Sequence, residues 1–342
     1  MGLSVRYALD VNFDAIGLTR RLVDIESVTY NEAAVGDYLV GALASLGFDV
    51  ERMGVEGPRF NVYAAMRGTA PDVVLSTHMD TVPPFFASSE DDEFVYGRGS
   101  CDAKGIIAAQ IGAALRLRAA GVKVGLLFLV GEERDSAGAK VANEQPRGSR
   151  FLINGEPTDN RVAVASKGAL RVEIRAKGRM AHSAYPELGE SAVHKLVEAL
   201  ERVLRLELPV VEGVGPSTLN IGTIEGGRAP NVIADEATAL VLVRLVGDSA
   251  GVRRQILNAV GDLAEVNFTL EIPFMRFRDM PGMETMVAAF TTDIPALTAW
   301  GEAVLLGPGS IHVAHTDGER IAKRELLEAV DLYERVAREL VK

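Results

Sequence analysis

DVVLSTHMD, residues Asp72–Asp80, is the point from which the chain reads most clearly. Its β-branched and leucine residues up to Thr77 predict a buried central strand, and Pro83-Pro84 marks the turn that follows. Between strand and turn stand His78 and Asp80, where ligands gather in an open α/β sheet, beyond the carboxyl ends of the strands. With one residue between them, one side chain can face a site while the other supports it. A carboxylate on the far ring nitrogen of a metal-bound histidine is a common supporting arrangement. His-x-Asp alone is a frequent accident; its weight comes from later segments with the same geometry.

Upstream, Asn31 is placed to cap a helix whose Val35, Leu39, Ala42, Leu43 and Leu46 fall on one face, with Gly47 as its stop. Phe48–Arg52 and Phe60–Arg67 read as strands and Glu90–Glu93 as an acidic loop. Downstream, an Ala- and Ile-rich helix is expected from about Lys104 to Ala120. Val124–Val130 then forms a nearly unbroken apolar strand of the kind covered on both faces. That strand ends in Gly131-Glu132-Glu133, Ser136 opens a short helix, and the buried strand Phe151-Leu152-Ile153 ends in Gly155-Glu156-Pro157. Strand–helix–strand alternation of this kind predicts a mostly parallel sheet.

From Gly168 the pattern changes. Strands over Ala169–Ala176, Thr218–Glu225, Asp235–Val246 and Val266–Ile272, with helices over Glu190–Leu206 and Ser249–Leu263, give β-α-β-β-α-β, the ferredoxin-like plan. Such a module has about a hundred residues, a normal domain size. After Pro273 the α/β style returns, with a strand near Ala303–Leu306 and a helix from about Ala322 to Val341. The expected architecture is a discontinuous α/β domain, 1–167 plus 274–342, carrying an inserted ferredoxin-like domain, 168–273.

His78, Asp102, Glu132 with Glu133, and Glu156 are each about one strand plus connection from the next, so all are expected at strand ends along one edge of the sheet. Singly, each has an ordinary explanation: a helix cap, a solvated loop, a turn. Together they set several carboxylates against one another, which is unfavourable unless a cation lies between them. One histidine with three or four carboxylates suits a divalent metal such as zinc. A second nitrogen donor is expected from the returning segment 307–319, where His312 and His315 both stand and Asp317 is also available; His315, beside the Thr316-Asp317-Gly318 turn, has the better context.

Bulk properties narrow the field. Of 342 residues, 48% are hydrophobic, enough for more than one core. The formal net charge of −11, without a Lys/Arg cluster, argues against nucleic acid as a partner. A single cysteine, Cys101, excludes an internal disulfide framework and fits a reducing cytoplasm. With charges at Arg6, Asp10 and Asp14 and no long apolar run, no signal peptide or membrane span is expected near the N-terminus. Met1-Gly2 lacks the Ser or Thr at position 6 that N-myristoylation wants. Serine-hydrolase chemistry is disfavoured because Ser100 lacks the Gly-x-Ser-x-Gly elbow.

The motifs STHMDTVP, YGRGSCDAKG, GEERDSAG, NGEPT, MAHSAYPELG, NIGTIEGGRAPNVIAD and AHTDGE run the length of the chain. In that order they resemble the M20 metallopeptidases, which include acetylornithine deacetylase, succinyl-diaminopimelate desuccinylase and glutamate carboxypeptidases. The resemblance implies a zinc-exopeptidase-like fold and two zinc ions, with cobalt or manganese as alternatives. One ion would be held by His78 and Glu156 and the other by Glu133 and His315, with Asp102 bridging. It makes Glu132 the general base, Asp80 the orienter of His78, and His182 of the inserted domain the oxyanion donor. Arg244 becomes the clamp for a substrate α-carboxylate and Asn231 part of substrate recognition. The family commonly has an acidic residue two positions before that arginine; here it is Leu242. The implied activity is cleavage of an N-acyl amino acid, with acetylornithine or acetyl-lysine deacetylation ahead of desuccinylation and dipeptide or carboxypeptidase hydrolysis. A homodimer through the inserted lid is implied as well. A catalytically silent binding homologue is the contrasting expectation, opposed by the intact ligand set and Glu132.

Overall fold

The computed structural model describes residues 13–342, so the reading of Met1-Gly2, Arg6 and Asp10 lies outside the described residues. The described residues divide into two compact units, one of residues 13–164, 277–286 and 292–342, the other of residues 165–276 with 287–291. The short 287–291 stretch, expected with the first unit, goes with the second because Lys167 N–H donates to Ala288 O at 2.9 Å and Ser166 Oγ to Phe290 O at 2.7 Å.

The first unit is built on a sheet whose strands lie in the order Asp49–Glu56, Arg59–Ala65, Val124–Leu129, Val73–His78, Phe151–Asn154, Glu302–Leu305. The last four run parallel, and the first two are antiparallel additions at one edge. Beyond Leu305, Ala163 of the strand Val162–Ser166, which the sequence reading missed, pairs antiparallel. Side chains alternate through the parallel core. Val73, Leu75, Leu126, Phe128 and Ile153 face a core shared with Leu18, Leu39, Ile106, Ile111 and Val330 of four helices. Val74, Leu127, Leu129 and Leu152 face a second core with Ala139, Ala142 and Trp300. Coverage of both faces is why these strands read as unbroken apolar runs.

Helix Ala33–Ser45 buries Val35, Leu39 and Leu43 as its periodicity requires, and Gly47 ends it with a left-handed φ of 82°. Its start corrects the sequence reading. Asn31 does not cap it; Glu32 holds the cap position without a capping hydrogen bond, because its carboxylate is buried in a bidentate pair with Arg59 at 2.8 and 2.9 Å. Helix Lys104–Ala119 is buried nearly all round, which accounts for its small residues. Beside it, a Cβ at Gly155 would lie 2.4 Å from Ile106 Cγ2, so only glycine lets the chain that leads to Glu156 pass so close.

The second unit has four antiparallel strands in the order Thr218–Gly226, Glu236–Leu245, Gly168–Lys177, Glu265–Ile272, the ferredoxin-like arrangement. Helices Ala192–Leu204 and Ser249–Val260 pack Leu196, Leu200, Val252 and Ile256 against Val172, Ile174, Val241 and Val243. Ser191 and Asp248 cap them, accepting from His194 N at 3.2 Å and Ala250 N at 3.3 Å. Among the described residues no helix is long and apolar enough to cross a membrane.

Candidate metal centre

Parallel register carries three of the expected groups to one edge of the first unit's sheet. His78 ends its strand opposite Leu129, with Met79 N–H donating to Leu129 O at 2.7 Å; the neighbouring chain then turns through Gly131 into Glu132 and Glu133. On the other side Ser76 pairs with Asn154, and Gly155 N–H donates to Ser76 O at 2.7 Å immediately before Glu156. Asp102 arrives differently from the expectation. It is not at a strand end but in the turn before helix Lys104–Ala119, because the preceding strand, Phe94–Tyr96, belongs to a separate small sheet with Ser89–Glu90 and Arg320–Ala322.

The side chains then meet. His78 Nε2 lies 2.9 Å from Asp102 Oδ1, and His315 Nε2 lies 2.9 Å from Glu133 Oε1 and 3.4 Å from Asp102 Oδ2. His78, Asp102 and Glu133 each offer a ligand atom within 4.8 Å of the others. His315 takes a left-handed φ of 63°; it and His312, the competing donor, are both exposed, and it is His315 whose ring meets Asp102 and Glu133. Glu156 is 4% exposed and its Oε1 has no hydrogen-bond partner.

Asp80 organises this edge from beneath. Its carboxylate accepts from Glu132 N–H at 3.1 Å, Glu133 N–H at 3.2 Å and Thr29 Oγ at 2.9 Å. The ring of His78 is oriented chiefly by the main chain, with Nδ1 2.9 Å from Asp80 O and 3.5 Å from Asp80 Oδ1. Folding back after one residue brings the carbonyl to the ring and leaves the carboxylate for the Glu132–Glu133 turn.

That geometry calls for a cation. A carbonyl oxygen can only accept, so His78 Nδ1 carries a proton, and Nε2 of the neutral ring would then turn a lone pair on Asp102. Either the ring is charged or a metal ion lies between them. Burial opposes charge on His78, but its contacts to Asp102 and Asp80 raise it well above the ordinary value. Contacts with Asp102 and Glu133 push His315 up to about 10. Burial, with neighbouring carboxylates, drives Glu132 and Glu156 well above the usual carboxylate range, and burial also raises Glu133. The sequence reading missed Asp293, 1% exposed beside Ser136, which burial pushes up to about 7. Six carboxylates against two imidazoles is a donor set that divalent cations satisfy.

The residues expected from the inserted domain lie in the second unit. Ser183 N–H donates to Asn231 O at 3.0 Å and His182 bridges Val232, so His182 and Asn231 are neighbours there. Ala184 N–H donates to His182 Nδ1 at 3.1 Å, which puts the proton of the neutral ring on Nε2, as a donor. Arg244 is half-buried on its strand with no acidic partner among the described residues, and burial lowers its pKa.

A family model described as a peptidase dimerisation domain matches residues 164–267. A peptidase M20 domain-containing protein of Schizosaccharomyces pombe is 40% identical over 98% of this chain and 86% of its own length. The chain belongs to the M20 peptidase family. A probable carboxypeptidase of Aspergillus fumigatus is 39% identical over 93% of this chain and 84% of its own length. Among solved structures, a Staphylococcus aureus tripeptidase matches with a TM-score of 0.79 at 23% identity, covering 95% of this chain and 98% of its own. A Bacillus subtilis M20 peptidase described as dinuclear metal-binding matches with a TM-score of 0.68 at 18% identity, covering 96% and 97%. This M20 peptidase is thus a metal-dependent hydrolase with a catalytic and a dimerisation-type unit.

Proposed function

We propose that this M20 peptidase is a carboxypeptidase-type hydrolase that releases a free amino acid from a short peptide or an N-acyl amino acid. The observation that carries the reading is the contact set His78–Asp102–His315–Glu133, backed by the unpartnered Glu156 oxygen. In this reading His78 and Glu156 would hold one divalent ion and Glu133 and His315 the other, with Asp102 contributing to both; zinc, or alternatively cobalt or manganese, suits such donors. When bound, such ions polarise the scissile carbonyl and acidify the attacking water.

The chain's own groups do the rest. Glu132 takes the proton of the water and returns it to the departing amine; burial raises its carboxyl well above the usual carboxylate range. Asp80 fixes the Glu132–Glu133 turn through its backbone. His182, with its Nε2 proton, is the donor to the developing oxyanion. Arg244, with no acidic partner among the described residues, offers its fork to the substrate α-carboxylate, and Asn231 accompanies His182. The relatives named as probable carboxypeptidases support this side of the reaction over a deacetylase-only specificity. A homodimer through the second unit belongs to the same reading, supported by the dimerisation-domain match and by Val197, Leu204 and Ile224, which are 58%, 62% and 60% exposed. A silent binding role is disfavoured because nothing in binding alone requires Glu132.

The test is a panel of dipeptides, N-acetylornithine, N-acetyl-lysine and N-succinyl-diaminopimelate, each beside its C-terminal amide. Release of the C-terminal amino acid, abolished by amidation, is expected, and the panel ranks the acyl groups. Equal cleavage of amidated substrates that carry a free N-terminus would reverse the assignment.

A further inference from the structure

Four residues after His315, Glu319 is 2% exposed and holds a second buried cluster beside the metal centre. Its Oε1 accepts the backbone N–H groups of Gly99, Cys101 and Asp102 at 2.9, 3.3 and 3.1 Å, gathering the turn that presents Asp102. Its Oε2 takes Arg98 Nη1 at 2.5 Å, and its own carbonyl accepts from Gly97 N–H at 3.1 Å. Arg98, 1% exposed, also donates through Nη1 to Thr316 O at 3.3 Å and through Nε to Pro84 O at 3.2 Å. Two segments far apart in sequence, one carrying Asp102 and the other His315, are thereby fastened together. Neither Arg98 nor Glu319 is among the groups that face the candidate ions.

We propose that the Arg98–Glu319 pair is a positioning clasp that sets the affinity of the metal position shared by Asp102, Glu133 and His315. Pairing of strand Phe94–Tyr96 with Arg320–Ala322 sets the two segments side by side, and the hydrogen bonds between the turn 97–102 and the loop 315–319 themselves run through Arg98 and Glu319. Asp102 is independently held by His78 at 2.9 Å, whereas the His315 side chain is 47% exposed and reaches its partners from the loop's own backbone. Loss of the clasp frees the His315 side of the centre more than the His78 side. Glutamine in place of Glu319 keeps the volume but turns an amide nitrogen towards donors, so at most one oxygen remains to accept from three N–H groups and a guanidinium. A buried arginine is then left without its counter-charge.

The proposal rests on the metal-centre reading above, and the experiment separates the two. Metal-free wild-type and Glu319→Gln protein are titrated with Co²⁺ alone, followed by calorimetry and by the visible absorption of the bound ion. Wild type is expected to bind two equivalents, and Glu319→Gln to bind one within about threefold of wild type and the other about 10–100-fold more weakly. The absorption band of the second equivalent should change shape with it. If wild type takes up no Co²⁺, the metal-centre reading fails. If wild type binds two and the variant binds both at wild-type affinity, or loses both equally, the clasp is wrong and the centre stands. Should Glu319→Gln not fold, Arg98→Lys decides: it keeps a charge for Glu319 but loses the fork to Thr316 and Pro84, and weakening confined to the same equivalent is expected. Unchanged binding by a folded Arg98→Lys would then overturn the proposal.

Discussion

Asp80 shares two carboxylate oxygens among three donors and lies under the ring of His78, which draws its pKa down against the opposing effect of burial. Asp80→Asn would set an amide nitrogen against backbone N–H groups that need an acceptor. Turnover should fall about 10–100-fold, as for other groups that orient a metal site from behind; kcat at saturating metal checks it. Glu132 is the sharper case, because the reading makes it a base and not a ligand. Glu132→Ala should keep the metal content found by elemental analysis while kcat falls about 10²–10⁴-fold. Glu132→Asp should be intermediate, and near-normal kcat in the alanine variant would move the role to another group. Composition made these acids visible as candidates. It could not say that the Asp80 carbonyl, more than its carboxylate, would meet the His78 ring.

At the scale of elements, the strands Val73–His78 and Val124–Leu129 were readable because burial on both faces leaves a continuous apolar signal. What braces their far face was not readable. Trp300, fully buried, donates from its indole N–H to Ala142 O at 2.9 Å and lies 5.8 Å from the Tyr63 ring, from a short 3₁₀ turn with no periodicity to announce it. Trp300→Ala should cost about 3–5 kcal/mol, read as a shift in the denaturant midpoint. In the proposed reading, the loop carrying His182 and Asn231 is the functional element of the second unit. His182→Ala should lower kcat about 10²–10³-fold at unchanged metal content, as expected for an oxyanion donor. Mixing His182→Ala chains with Glu132→Ala chains asks which subunit the histidine serves: recovered activity means the partner's site, and dead hybrids mean its own.

For the whole molecule, the metal-free protein should lose stability as pH rises. Glu132, Glu133, Glu156 and Asp293 have folded pKa values raised by burial, Asp293 to about 7, and contacts with carboxylates raise His78 and hold His315 near 10. In the unfolded chain the acids ionise near pH 4 and the histidines near 6.5. Each of these groups therefore stabilises the fold below its unfolded pKa and stops doing so as pH passes its folded one. Asp80 and Asp102, whose pKa values are lowered, act in the opposite sense only at pH below about 4. Above pH 7 Lys104, which burial lowers to about 7, opposes these groups, but from pH 5 to 7 the shifts agree in sign, the native state binding more protons. Scanning calorimetry of the metal-free protein should show Tm falling across that range. Added divalent metal should restore it, with a gain that grows with pH, since protons and metal compete for the same atoms. A Tm that rose with pH without metal would contradict this reading of the cluster.

The sequence by itself determined the two architectures, a parallel α/β sheet and an antiparallel insert, because hydrophobic period and strand order are properties of neighbours along the chain. It also named the groups of the candidate centre, since strand ends in a parallel sheet converge wherever the connections are regular. Only the tertiary structure decided that Asp102 comes from a turn, that Asp293 is buried beside the centre, that Glu32 serves Arg59 and not a helix cap, and that Glu319 fastens the Asp102 turn. Those arrangements depend on partners remote in sequence, 221 positions apart for Arg98 and Glu319. A lone charged residue carries no periodic mark of the distant partner that makes its burial tolerable.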